Sequence, residues 1–409
     1  MTHRRGPVAL YLAGGVSSVG TQMTMLALPW LVLESTGSAA RTGLVFAVQI
    51  LPIALLGFLG GVVIQRFGAR RTMLVADLAR APIVALVPVL HATGALSLGV
   101  LLALVALIGV FGVPYAASQR VLAVALIDDD PKALTRANSV LDGIYGVSAF
   151  GGPALAGALI AVAGPAQVLW LDAFSFALSG LVLLAFVPQV GRSAAARGGP
   201  RGALAGLRHL RADPFLAQTV ISTLMYGFLL RVLAVALPLL AFVSFDGNAR
   251  LGGLLVAAEG AGALLGSLGV FVVASRVAPH RLAGVAMIAV ALPLWLLPLP
   301  VSPAVLVAAV AVSAAAVSVS NAPYMTILGT RVPAELLPKV LQAVLTISNI
   351  AGPLGFLCAG LLMQGVGIRA SLVLVAVSAT LATLNFLIAL ARMDRVGAPP
   401  APQEVLSNA

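Results

Sequence analysis

Charge is what this 409-residue chain has least of: Asp, Glu, Lys and Arg together make up 9% of it, against roughly a quarter of an ordinary soluble domain. So few charged groups cannot cover a water-facing surface of this size. Cysteine is limited to Cys358, which excludes an intrachain disulfide and any cysteine-based metal site. There are 4 histidines, with no His-Glu-x-x-His, no Gly-x-Ser-x-Gly and no phosphate-binding glycine loop ending in Lys. The usual equipment of a metalloprotease, a serine hydrolase or an ATPase is therefore missing. No enzymatic activity, cofactor or metal is expected.

What the chain has instead is apolar sequence: 60% of it is hydrophobic, with a mean hydropathy of +1.08. Apolar stretches recur at 8–33, 42–65, 72–91, 95–119, 138–163, 166–187, 215–243, 251–275, 282–299, 303–328, 341–364 and 370–391. Each is about the length an α-helix needs to cross a hydrocarbon core some 30 Å thick. The runs are continuous instead of alternating with polar residues, which favours helices over a barrel. The expectation is an all-α integral membrane protein with twelve transmembrane helices. The first run follows His3-Arg4-Arg5 but is too long for a signal peptide, and reads as the first membrane helix.

The net charge of +11 sits in short connections and forms no stripe, so nucleic acid is not the expected partner. Outside the spans, every Lys and Arg except Arg41, Arg250 and Arg369 falls on the side of the N-terminus. By the positive-inside rule both termini face the cytoplasm, in the cell membrane. Trp30, Trp170 and Trp295 then lie near outer helix ends, as interfacial anchors should.

A shift of 209 residues places Ala27-Leu28-Pro29 on Ala236-Leu237-Pro238, Gly43 on Gly252, Leu55-Leu56-Gly57 on Leu264-Leu265-Gly266, and Pro114-Tyr115 on Pro323-Tyr324. One constant offset over four spans indicates two six-helix halves in parallel orientation, 1–187 and 215–391. A linker, 188–214, joins them, and 392–409 forms a cytoplasmic tail. In the linker, Leu204, Leu207 and Leu210 alternate with Arg201, Arg208 and Arg211. A short basic amphipathic helix on the cytoplasmic leaflet fits, as does a flexible linker whose arginines only fix topology. The Asp128 to Asp130 triplet before Pro131 reads as a solvated helix start.

Between the second and third spans stands Gly61-Val62-Val63-Ile64-Gln65-Arg66-Phe67-Gly68-Ala69-Arg70-Arg71, and the fifth span carries Gly152-Pro153-Ala154-Leu155-Ala156-Gly157. On these elements the chain resembles the major facilitator superfamily, and its exporter branch that includes macrolide-efflux and enterobactin-export proteins. Gly61, Arg66, Gly68 and Arg70 match the family's Gly-x-x-x-Asp-Arg-x-Gly-Arg-Arg, with Arg71 extending the basic end. Gln65 stands where the family has Asp, and Ala69 where it has Arg. Gly152, Pro153 and Gly157 resemble the Gly-Pro-x-x-Gly-Gly element of exporters, with Ala156 replacing one Gly. Arg136-Ala137-Asn138-Ser139, and Asp77 to Arg80, also look like this branch, whereas the fourth span lacks the Arg-x-x-Gln-Gly of many proton-coupled exporters. On the residues alone, Gly68 turns the chain, the arginines hold it inside, and small residues beside Pro153 let helices approach.

The resemblance implies a cavity lined by spans 1, 7 and 10, among others. Candidates on polar faces are Ser17, Ser18, Thr21 and Gln22 in span 1, Thr219, Ser222, Thr223 and Tyr226 in span 7, and Ser313, Ser320, Asn321 and Tyr324 in span 10, with Tyr115 in span 4. Each set keeps to one side of its helix at about 100° per residue, and helix packing is the alternative use of such a stripe. Ionisable groups inside the spans are Arg231, Glu259, Asp172, Asp142, Asp77 and Arg80. Each needs a partner or water, because a charge at the membrane centre costs at least ~2.5 kcal/mol. Asp77 and Arg80 can pair with each other. Glu259 and Arg231 form either a proton relay or a static ion pair. Asp172 and Asp142 are relay candidates or structural hydrogen-bond acceptors.

The expected function is secondary active export of a small amphipathic organic compound, drug-like, macrolide-like or siderophore-like, by alternating access, with protons as the counter-ion. A non-transporting sensor or a lipid translocase on the same fold is the alternative. The expected partners are that substrate, protons and the lipid bilayer, and the expected state is a monomer.

Overall fold

The computed structural model describes residues 5–57, 59–126, 131–189, 214–273, 276–332 and 336–396. The arginine-bearing part of the linker and the Asp128 to Asp130 triplet fall outside them. All regular structure among the described residues is α-helical: α1 (Arg5–Thr36), α2 (Ala39–Leu56), α3 (Leu59–Phe67), α4 (Ala69–Ala92), α5 (Leu98–Ala125), α6 (Pro131–Ala163), α7 (Pro165–Phe186), α8 (Pro214–Ser244), α9 (Ala249–Val273), α10 (Pro279–Leu294), α11 (Pro303–Arg331), α12 (Leu337–Val366) and α13 (Ile368–Val396). By length and composition, 10 contain a stretch able to cross a membrane, and Pro279–Leu294 and Gly352–Val366 are shorter apolar helices. This is a multi-pass membrane protein.

Local chemistry sets the helix ends. Ser38 and Ser97 cap α2 and α5 by accepting from the backbone N–H of Arg41 and Val100. Gly68, at φ +83°, makes the left-handed turn between α3 and α4 that a side chain would strain. The run 42–65 is covered by α2 and α3, and Gly57 at the end of α2 keeps a helical backbone, its N–H donating to Ile53 O at 3.1 Å. One expected span differs in detail. The run 282–299 leaves the α-helix at Leu294 and continues in tight turns such as Trp295 N–H to Leu292 O at 3.3 Å. Pro298 and Pro300 have no N–H with which to extend it.

Helices α1 to α7 pack mainly on one another, as do α8 to α13; between the groups α2 lies along α12 and α6 along α9. Trp30 belongs to this packing and is not an interfacial anchor. Its ring is fully buried, meets Phe242 edge-on at 5.8 Å, and its indole N–H donates to Glu34 at 2.7 Å. Trp170 and Trp295 remain partly exposed.

Arg70 shows what one motif arginine does. Its guanidinium donates to the carbonyls of Val187 at 2.5 Å and Leu184 at 2.9 Å. These carbonyls end α7, where no further turn exists to satisfy them and where a cation opposes the helix dipole favourably. Arg70→Ala should lower the melting temperature of the detergent-solubilised protein by a few degrees, with Arg70→Lys restoring only part of it, since Lys cannot make the same forked pair. An unchanged melting temperature in Arg70→Ala would remove this role.

Candidate functional site

A cavity of about 330 Å³ opens within the first helix group. Its wall includes Ser17, Ser18, Thr21, Gln22 and Thr24 of α1, Gln49 and Ile50 of α2, Arg80 of α4, Tyr115 and Gln119 of α5, and Tyr145 of α6. The α1 stripe, Ser18, Thr21 and Gln22, therefore faces this space. Gln49 and Gln119 were not anticipated; a carboxamide inside an apolar run is the signal that would have found them. The Gln49 Oε1 is buried without a hydrogen-bond partner, an unmet acceptor beside the cavity.

Behind this wall lies a buried polar cluster. Asp77 and Asp172 are 0% exposed and Arg80 4%. Asp77 pairs with Arg80 at 2.5 Å and accepts from Ser17 at 3.3 Å and Ser179 at 2.6 Å. The Arg80 guanidinium is sandwiched between the rings of Tyr115 at 4.4 Å and Phe176 at 4.1 Å, a favourable seat for a desolvated cation. The Tyr115 hydroxyl stands beside those of Ser17 and Ser179 without a well-aligned hydrogen bond. Asp172 accepts from Thr24 at 2.5 Å and Ser175 at 3.1 Å.

Two glycine crossings hold the groups together at the end of the bundle that carries Thr36 and Ala163. A Cβ added to Gly157 would lie 2.6 Å from the Gly253 Cα, and one on Gly43 would lie 2.8 Å from the Gly360 Cα. Ser38 donates to Gln364 across the second crossing at 3.1 Å. The element Gly152-Pro153 to Gly157 thus lies on the α6–α9 seam, while Gly152 itself abuts Gln22 of α1. Such contacts need the absence of a side chain.

Arg231 leans on α12, with its guanidinium 5.6 Å from the Phe356 ring. Its Nε is buried without an acceptor and lies next to Gly352, as does Ile50 of the cavity wall. Glu259 is half-buried. Arg231 is the charge near enough to act on it, yet no ion pair within 4 Å joins them.

The remaining candidates lie elsewhere. Asp142 pairs with Arg120 at 2.9 Å on an exposed surface. Thr219 and Thr223 donate to their own helix. Ser222 accepts from Asn385 of α13 at 2.8 Å, and Tyr226 reaches Ala379 O and the Thr383 hydroxyl on the same helix. Asn321 is exposed, and Tyr324 tilts against Phe386 with its buried hydroxyl unpartnered. Gly61 has open space beside it, Arg66 stacks near Phe67 at 5.6 Å, and Arg71 borders a separate apolar pocket of about 400 Å³ between α3, α4 and α5.

Bilayer-length helices, a cavity with a polar wall and close crossings between two helix groups are the architecture of a membrane transporter, and the family and structural matches make its fold that of the major facilitator transporters. The chain belongs to the transmembrane secretion effector family, whose profile matches residues 7–404. It is 29% identical over 384 residues to the multidrug efflux pump Tap of Mycobacterium tuberculosis, covering 90% of this chain and 89% of that protein. Its identity to the multidrug efflux pump Tap of Mycolicibacterium fortuitum is 28%, covering 90% and 92%. Among solved structures, the nucleoside transporter NupG superposes with a TM-score of 0.74 at 12% identity, over 94% of this chain and 98% of that one. A bacterial homologue of the iron transporter ferroportin in its inward-facing state gives 0.71 at 17%, over 95% and 99%. These likenesses share the fold.

Proposed function

We propose that this protein exports small amphipathic organic compounds across the cytoplasmic membrane by alternating access, drawing on the proton gradient. The observation that carries the reading is the cavity beside two glycine crossings that close one end of the bundle. Relatives that are named multidrug efflux pumps support the substrate class. The cavity wall offers hydroxyls, three carboxamides from Gln22, Gln49 and Gln119, and the Arg80 guanidinium, with otherwise apolar surface. That chemistry suits a compound with a large apolar body and a few hydrogen-bonding groups.

In this reading α2 and α3 together make one of twelve spans, the two helix groups are the two rocking halves, and the Thr36 end faces outward. Ser38→Cys and Phe67→Cys, each in a Cys358→Ala background, should label from opposite sides of the membrane. Labelling from one side defeats the topology. Expression in cells without other drug pumps should lower accumulation of at least one amphipathic dye or antibiotic, and a protonophore should abolish the difference. Lowered accumulation that survives loss of all ion gradients overturns the coupling.

A further inference from the structure

Among the described residues, Asp172 is the acid that is fully shielded and has no cation in hydrogen-bond contact. Its helix, α7, packs on α1, α4 and α6. From α4 the charged groups nearest it are Asp77 and Arg80, which already pair with each other. From α1 it meets the hydroxyl of Thr24, with the backbone of Gly20 alongside and no room there for a side chain. On α6, Asp142 is occupied by Arg120 on an exposed surface and Tyr145 is 65% exposed. From α5, Tyr115 stands against Arg80. The cluster thus holds two carboxyls and one guanidinium. With Asp77 also ionised, an ionised Asp172 would set two carboxylates against the one guanidinium of Arg80 away from water, with only the Thr24 and Ser175 hydroxyls in direct contact to offset the cost.

Its surroundings also provide a way out for a proton. Thr24 touches Asp172 Oδ2 and belongs to the wall of the cavity in the first helix group. Ser175 holds the other carboxyl oxygen, Oδ1. One residue, Thr24, therefore stands between a sealed acid and this cavity.

Resting on the exporter reading, we propose that Asp172 is a proton-binding site that exchanges with the cavity of the first helix group through Thr24. In the unloading step the Thr24 hydroxyl turns its hydrogen from Asp172 toward the cavity, the Asp172 O–H bond breaks and its proton passes to the Thr24 oxygen. The Thr24 proton moves to a cavity water, leaving a carboxylate and a hydronium ion. Loading is the reverse. The unloaded cluster carries one net negative charge directly behind the cavity wall, so occupancy of Asp172 sets the electrostatic environment of the cavity.

The test is infrared spectroscopy of the full-length protein in lipid vesicles. At neutral pH the wild type should show a carbonyl band of a protonated carboxyl that the nearly isosteric Asp172→Asn lacks. In Thr24→Val the acid stays but the hydroxyl link is gone, and hydrogen–deuterium exchange of that band should slow at least tenfold. An unchanged band in Asp172→Asn, or wild-type exchange in Thr24→Val, overturns the proposal. Because this readout needs no substrate, it decides the site even where the exporter reading fails. Where wild-type cells do export, Asp172→Asn should lose the dependence of export on external pH, and a retained wild-type pH response also overturns the proposal.

Discussion

Gly157→Val is expected to reduce export to less than roughly a tenth of the wild-type rate while the protein still inserts and folds. The Gly157 backbone rests on that of Gly253, and a Cβ there would also come within 2.6 Å of the Ala249 carbonyl oxygen. Backbone cannot give way as a flexible side chain can, so relief has to come from separation of α6 and α9 at their Thr36 ends. Overpacking of this kind costs about 1–3 kcal/mol, and each ~1.4 kcal/mol moves an equilibrium tenfold. The closed state is penalised and the open state is not, so the cycle stalls. Gly43→Val acts on the other crossing through the Phe356 carbonyl oxygen, at 2.6 Å, and the Gly360 Cα, and should behave alike. Spin labels on the Thr36 ends of α6 and α9 should report a longer mean distance in Gly157→Val. Wild-type export together with an unchanged distance would show that these crossings are packing only.

The second large effect concerns Glu259. Glu259→Gln should abolish gradient-driven export, and Arg231→Gln should reduce it severely, with exchange of substrate down its own gradient retained in both. Arg231 rests against Phe356 with its Nε unsatisfied, an arrangement that leaves a desolvation cost unrecovered. Among the described residues Glu259 has no ion-pair partner, and it is half-buried. Both residues belong to the second helix group, so the movement required is of α8 against α9 within that group: an approach of Arg231 to Glu259 would satisfy both and expel a proton from the acid, and withdrawal would let it reload. Gradient-driven export by Glu259→Gln at the wild-type rate and pH dependence would leave the residue with a structural role alone.

Much of the fold was legible because its cause is local. Twenty apolar residues in a row leave a chain few choices in a bilayer, and Gly68 and the Gly152 to Gly157 element mark a turn and a close crossing by the absence of side chains. What stayed hidden depends on which way a helix is rotated. The stripes of α1 and α8 have the same period, yet Ser18, Thr21 and Gln22 face the cavity, while Ser222 and Tyr226 meet Asn385 and Thr383 on α13. Periodicity reports that a polar face exists and is silent on its neighbour. Trp30 illustrates the same limit: its place near a helix end was readable, whereas its burial against Phe242 depended on a partner more than two hundred residues away. The Asp77–Arg80 pair was visible from its i,i+3 spacing, but the aromatic rings around Arg80 and the isolation of Asp172 come from packing of α1, α4, α5 and α7.

Coupled export is measured as flux in vesicles. Purified protein is reconstituted into sealed liposomes, and a compound whose accumulation it lowers in cells is supplied outside with an imposed pH gradient, acidic inside. Protein facing the medium with its cytoplasmic side should pump the compound inward against its own concentration gradient, a protonophore should stop this, and proton efflux should accompany it. Flux that only ever runs down the compound's own gradient, at a rate indifferent to pH, would contradict coupled export.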